Sequence, residues 1–92
     1  MALGVYFAPV SMTKQQYDEI ISRLNAAGAG SPAGREYHAC FGEEPKLHVF
    51  DVWTSQAALD AFMPALQPVL AAVGVDPGQP MVEAIHTVIP GK

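Results

Sequence analysis

Apolar side chains recur along this chain with two spacings, and the switches between them fall at glycines and prolines. Residues 2–10 are an apolar, aromatic run with Pro9 near its end, the composition of a strand. Thr13 and Gln16 then form a capping box. Tyr17, Ile20, Ile21, Leu24 and Ala27 follow at helical spacing, and Gly28 supplies a stop. Asp18 and Glu19 near the start and Arg23 near the end suit the helix dipole. Residues 29–34 read as a loop, 35–41 as a short strand, 42–46 as a turn and 47–53 as a third strand, so the two runs predict a hairpin. Thr54 and Ser55 open a second helix with Leu59, Phe62, Met63, Leu66, Leu70 and Val73 on one face. Pro64 and Pro68 predict a break, because each removes a backbone bond and crowds the preceding turn, with a short second piece ending near Gly74. Residues 76–80 form a loop and 81–89 a last strand.

The order β-α-β-β-α-β is the split βαβ pattern of ferredoxin-like α+β folds. Right-handed crossovers then give a four-stranded antiparallel sheet, 4-1-3-2, with both helices on one face. All four strands carry apolar residues at both parities, so the second face also wants cover. Two helices cannot supply it. A second copy of the chain can, and a homodimer is expected.

Composition narrows the picture further. At 92 residues the chain is one domain, residues 1–92, and half of it is hydrophobic. The formal net charge is −4, and the five basic residues (Lys14, Arg23, Arg35, Lys46, Lys92) are scattered, which argues against nucleic acid as a partner. No basic amphipathic helix suggests a membrane surface. The first residues lack the charge and apolar run of a signal peptide. The stretch 57–75 carries Asp60, Pro64, Gln67 and Pro68 and is not expected to span a bilayer. Cys40 is the one cysteine, so no intrachain disulfide forms and a cytoplasmic setting is expected.

The candidate chemistry lies on the strands. His38, His48 and His86 all fall in predicted strands, and Asp51 sits inside Val49-Phe50-Asp51-Val52-Trp53, where a carboxylate needs a partner. If residues 38 and 51 face each other in the hairpin, His38 and Asp51 share a face with Cys40, Val49 and Trp53. A slip of one residue puts Tyr37 beside Asp51 instead. A purely structural Asp51 would bind a backbone amide or Arg35. In the first register Asp51 holds one ring nitrogen and leaves the other free as a base. Trp53 is a core residue that could also wall a pocket, as could Tyr6, Tyr37, Phe62 and Met63. His86 would complete the pocket or meet the partner copy. Neither a nucleophile elbow nor a phosphate loop is present, and the histidine spacing matches no dedicated metal site.

Tyr37-His38-Ala39 in the hairpin, Asp51-Val52-Trp53-Thr54-Ser55 entering a helix with Phe62, and the closing Val82-Glu83-Ala84-Ile85-His86-Thr87-Val88-Ile89 resemble dimeric α+β barrel proteins. They are similar to the antibiotic biosynthesis monooxygenase-like branch, over nearly the whole chain. The resemblance implies two sheets packed face to face across a two-fold axis, with a pocket between each sheet and its helices. Some relatives oxidise polycyclic aromatics with O₂ and no metal or flavin; others degrade haem or isomerise lactones. The fold alone fixes no reaction.

The reading expected from the sequence is a small homodimeric pocket protein for an apolar or aromatic metabolite. If catalytic, it would transfer protons without a cofactor, with or without O₂, using His38 as base, Asp51 as its orienter, His86 as a second polar group and Trp53 as a wall. A non-catalytic binding or interaction module of the same fold is the alternative, and haem binding a third.

Overall fold

The structure is a computed structural model that describes residues 2–91. Its elements are β1 (Leu3–Phe7), α1 (Lys14–Ala26), β2 (Arg35–Phe41), β3 (His48–Trp53), α2 (Gln56–Val73) and β4 (Met81–Ala84). The sheet order is β2-β3-β1-β4 and every neighbouring pair is antiparallel, which is the expected ferredoxin-like arrangement read from the opposite edge.

Alternation along the strands sorts side chains cleanly between two faces. Val5 and Phe7 of β1 and Trp53 of β3 join Ile20 and Leu24 of α1 and Leu59, Phe62 and Leu70 of α2 in one core. Val5 and Trp53 are sealed completely, at 0% exposure. The opposite face has no helix. There Tyr37, Phe41 and Met81 remain 49–59% exposed beside half-buried Tyr6, Phe50 and Val52.

Local chemistry sets the helix ends. Thr13 caps α1, accepting from the Gln16 amide at 3.1 Å while the Gln16 side chain accepts from the Thr13 amide at 2.9 Å. A carboxylate oxygen of Glu44, thirty residues away, accepts from the Lys14 amide at 2.6 Å and adds a long-range cap at the positive end of the helix. At the other end Gly28 takes φ 76°, and the Gly28 and Ala29 amides donate to the Asn25 and Leu24 carbonyls, closing a Schellman motif.

Three expectations change. α2 runs unbroken from Gln56 to Val73 with Pro64 and Pro68 inside it. The two prolines lie four residues apart on the exposed side, so the carbonyls they leave unbonded face water while Leu59, Phe62 and Leu70 anchor the opposite side. This helix is long and apolar enough to cross a membrane by composition alone, but it serves here as a core helix. β1 ends at Phe7, two residues before Pro9, and the chain turns away to the Met12–Lys46 bridge. β4 ends at Ala84 instead of reaching residue 89, because Ala84 already faces Leu3, the first residue of β1. Beyond it one bond, from the Ile85 amide to the Ala2 carbonyl, ends the pairing, and Val88 and Ile89 lie exposed.

Candidate functional site

The hairpin register is the first of the two the sequence left open: His38 faces Asp51. Both point to the helix-covered side, where Asp51 is the one buried charged residue among those described, at 4% exposure. Its Oδ1 lies 2.5 Å from His38 Nδ1, and its Oδ2 accepts from the Trp53 indole N–H at 3.3 Å. Arg35, the alternative partner, is not bonded to it. A carboxylate can only accept, so Nδ1 of His38 carries hydrogen, and in the neutral ring Nε2 presents a lone pair.

That lone pair is not free, contrary to the sequence-based expectation. The Tyr17 hydroxyl, from α1, lies 2.7 Å from His38 Nε2, and the two rings stack 6.0 Å apart at 10°. Burial raises the Tyr17 pKa above its usual 10; the nearby Cys40, Asp51 and Asp18 push in the same direction, while the Arg35 guanidinium pulls it down. Tyr17 is therefore a neutral donor at physiological pH. The side chains form one directed run: Tyr17 donates to His38, which donates to Asp51, which also accepts from Trp53.

The run opens on a cavity of about 60 Å³ between the sheet and the two helices. Phe7, Met12, Ile20, Leu24, Phe62 and Leu70 supply much of its apolar wall, and among the described residues its polar lining is Tyr17, Arg35, His38 and Asp51. Sequence reasoning missed Tyr17 and Arg35. Tyr17 was visible only as one apolar member of a helical stripe. Its signal is a hydroxyl on an inward helix face above a strand histidine.

The remaining candidates scatter. Phe62 lines the cavity and Trp53 stands behind Asp51, packed on Phe62 at 5.4 Å. Met63 packs against the core without lining the cavity. Tyr6 and Tyr37 lie on the uncovered face, because each alternates with a residue that points inward. Tyr6 donates or accepts at His48 Nδ1 there, at 2.6 Å, with Phe41 stacked 5.5 Å from the same imidazole. His86 lies beyond the end of β4, exposed and outside the cavity, because the strand stops short of it. Cys40 is half-buried on the covered face, and burial, then Asp18, raises its thiol pKa. Among the described residues no three His, Cys, Asp or Glu side chains converge to hold a metal ion.

No protein-family model and no curated protein matches the chain. Solved structures do. A candidate antibiotic biosynthesis monooxygenase from Chloroflexus aurantiacus superposes with a TM-score of 0.68 at 17% identity, over 98% of each chain. SnoaB of Streptomyces nogalater, a cofactor-independent oxygenase, matches with a TM-score of 0.65 at 16% identity, over 98% of this chain and 96% of that one. A candidate antibiotic biosynthesis monooxygenase from Caulobacter crescentus matches with a TM-score of 0.61 at 21% identity, over 96% of this chain and 91% of that one. The chain shares the fold of these proteins.

Proposed function

We propose that the protein is a homodimeric pocket protein that takes one ring of a small aromatic metabolite between its sheet and helices and moves a proton on it without a bound cofactor. The observation that carries this reading is the Tyr17–His38–Asp51 run opening onto an otherwise apolar cavity. A core built for stability alone has no need of it, since apolar side chains of similar volume serve as well or better. The fold shared with a cofactor-independent oxygenase supports the same chemistry.

Tyr17 and the imidazole both line the cavity, and in this reading the phenol is the group that meets the ligand. A proton leaves an acidified ligand C–H or O–H for the Tyr17 oxygen as the Tyr17 proton passes to His38 Nε2. The imidazolium so formed faces the Asp51 carboxylate, which holds the ring in place and balances its charge. The ligand is left as a resonance-stabilised anion. Returned to another atom, the proton completes an isomerisation. With O₂ as second substrate, a methylene becomes a carbonyl and water leaves, the monooxygenase outcome.

The cavity sets the size of the ligand. Ligand pockets usually reach about 300 Å³ or more, and about 60 Å³ accepts the edge of one ring with the rest at the mouth. The same volume is too small for a haem, and Nε2 of His38 is already occupied by Tyr17. The volume also favours a second reading, a binding module whose polar run only orients its ligand. The uncovered sheet face, with Tyr37, Phe41 and Met81 exposed, is where the second copy packs. A reducing, cytoplasmic setting suits the free Cys40.

The test is deuterium exchange at the benzylic methylene of 2-tetralone, an enolisable ketone with one aromatic ring, followed by NMR. The wild type should accelerate exchange, and His38→Gln should lose about a hundredfold or more of that acceleration while keeping its fold. Equal exchange in the two proteins overturns proton transfer. Tetralone bound without any acceleration supports the binding module.

A further inference from the structure

Arg35 reaches the cavity through an irregularity in the sheet. Counting back from the His38–Asp51 pair, Tyr37 faces Val52, and a regular ladder would next set Glu36 against Trp53 on the covered face. The ladder instead shifts between Arg35 and Tyr37, and Arg35 faces Trp53. One extra residue re-aims the strand. A cation replaces an anion at the edge of the site: Arg35 is half-buried and lines the cavity, and Glu36 is exposed.

The guanidinium is positioned but not neutralised. Its Nη2 donates to the Gly30 carbonyl at 3.2 Å, and its carbon lies 6.0 Å from the centroid of the Phe62 ring, another lining residue. Among the described residues it makes no ion pair; the arginine that does is Arg23, with Glu19. Arginine has five N–H donors in a planar fork, and one bond to a carbonyl leaves most of them available. Both Phe62 and Gly30 fix the head without cancelling its charge. An arginine so held beside an apolar cavity is matched by a ligand with an apolar body and a planar anion.

We infer that Arg35 is the specificity residue of this site and that the ligand is an aromatic carboxylate, its ring in the cavity and its carboxylate on the guanidinium. The inference rests on the proposed reading of the cavity as a ligand site and adds the charge of the ligand. Glu36, had it occupied this position, would repel the same molecule.

The test is a calorimetric titration with benzoate and with its neutral counterpart benzamide, at low salt. Wild-type protein should bind benzoate about tenfold or more tightly than benzamide. Arg35→Gln should abolish the preference for benzoate over benzamide, Arg35→Lys should keep part of the preference, and Glu36→Gln should alter neither. Thermal melting of each variant checks the fold. Equal binding of the two probes by the wild type, a preference that survives in Arg35→Gln, or binding of neither probe overturns the inference. If tetralone exchange still depends on His38, only the carboxylate anchor has failed; if that dependence is also absent, the reading of the cavity itself has failed.

Discussion

Tyr17 and His38, twenty-one residues apart in sequence, meet through a 2.7 Å hydrogen bond between the phenol and Nε2. The contact ties α1 to β2 and joins the phenol to the imidazole on the wall of the cavity, which both line. Tyr17→Phe should therefore slow tetralone exchange by about tenfold or more while His38→Gln costs still more, since a relay loses less with its outer member than with its base. The stability cost should be about 1 kcal/mol, that of one half-buried hydrogen bond, read from urea unfolding. An exchange rate untouched by Tyr17→Phe would remove the phenol from the pathway.

The raised Tyr17 pKa also sets a pH dependence. In the unfolded chain the phenol ionises near pH 10, and in the folded protein it does so higher. The stability linked to the neutral phenol is thus fully present below pH 10 and is lost as pH rises through the folded value. Urea midpoints measured from pH 8 to 11.5 should fall above pH 10 in the wild type, and fall less in Tyr17→Phe.

Asp51 serves two donors, so its loss has two costs. Asp51→Ala leaves the His38 Nδ1–H and the Trp53 Nε1–H without an acceptor, and should destabilise the fold by about 3–5 kcal/mol. Asp51→Asn keeps an acceptor for one donor only and should cost less, yet exchange activity should fall nearly as far as in His38→Gln, because the amide no longer balances an imidazolium. Denaturant titration and exchange kinetics on the same samples separate the two effects.

The uncovered sheet face gives a separate prediction. Light scattering should give twice the 9.8 kDa chain mass. Phe50→Asp, placing a charge among Tyr6, Tyr37 and Gly4 on that face, should give the single-chain mass with the fold retained. A wild type that scatters as one chain would remove the homodimer from the proposal.

Cys40 should be a slow thiol. Burial, aided by Asp18, keeps it protonated beyond the usual thiol range. Its reaction with a disulfide reagent at pH 8 should run well below that of free glutathione until the protein is unfolded.

What was legible in the sequence follows from how local each cause is. Asp51 stood out because a carboxylate in an apolar strand must have a partner, and hairpin spacing offered His38. The Thr13–Gln16 box and the Gly28 stop are local, and both hold. Arg35 was hidden because period-two alternation assigns it to the opposite face, and a bulge leaves no local trace. Tyr17 was hidden because helical spacing gives its inward direction but not what lies beneath. The end of β4 depends on the length of β1, and the survival of α2 across Pro64 and Pro68 depends on which side faces water. In each case the tertiary neighbour decided.

Trp53 is the chain's one tryptophan, shut away from solvent, and its indole N–H rests on the same carboxylate that grips the imidazole. Its fluorescence is consequently a native optical gauge of the acid–imidazole pair. A change of protonation at Asp51 or His38 alters the field on the indole and shifts emission without any attached dye. Stopped-flow recordings of that single chromophore can time events at the centre of the molecule as they happen.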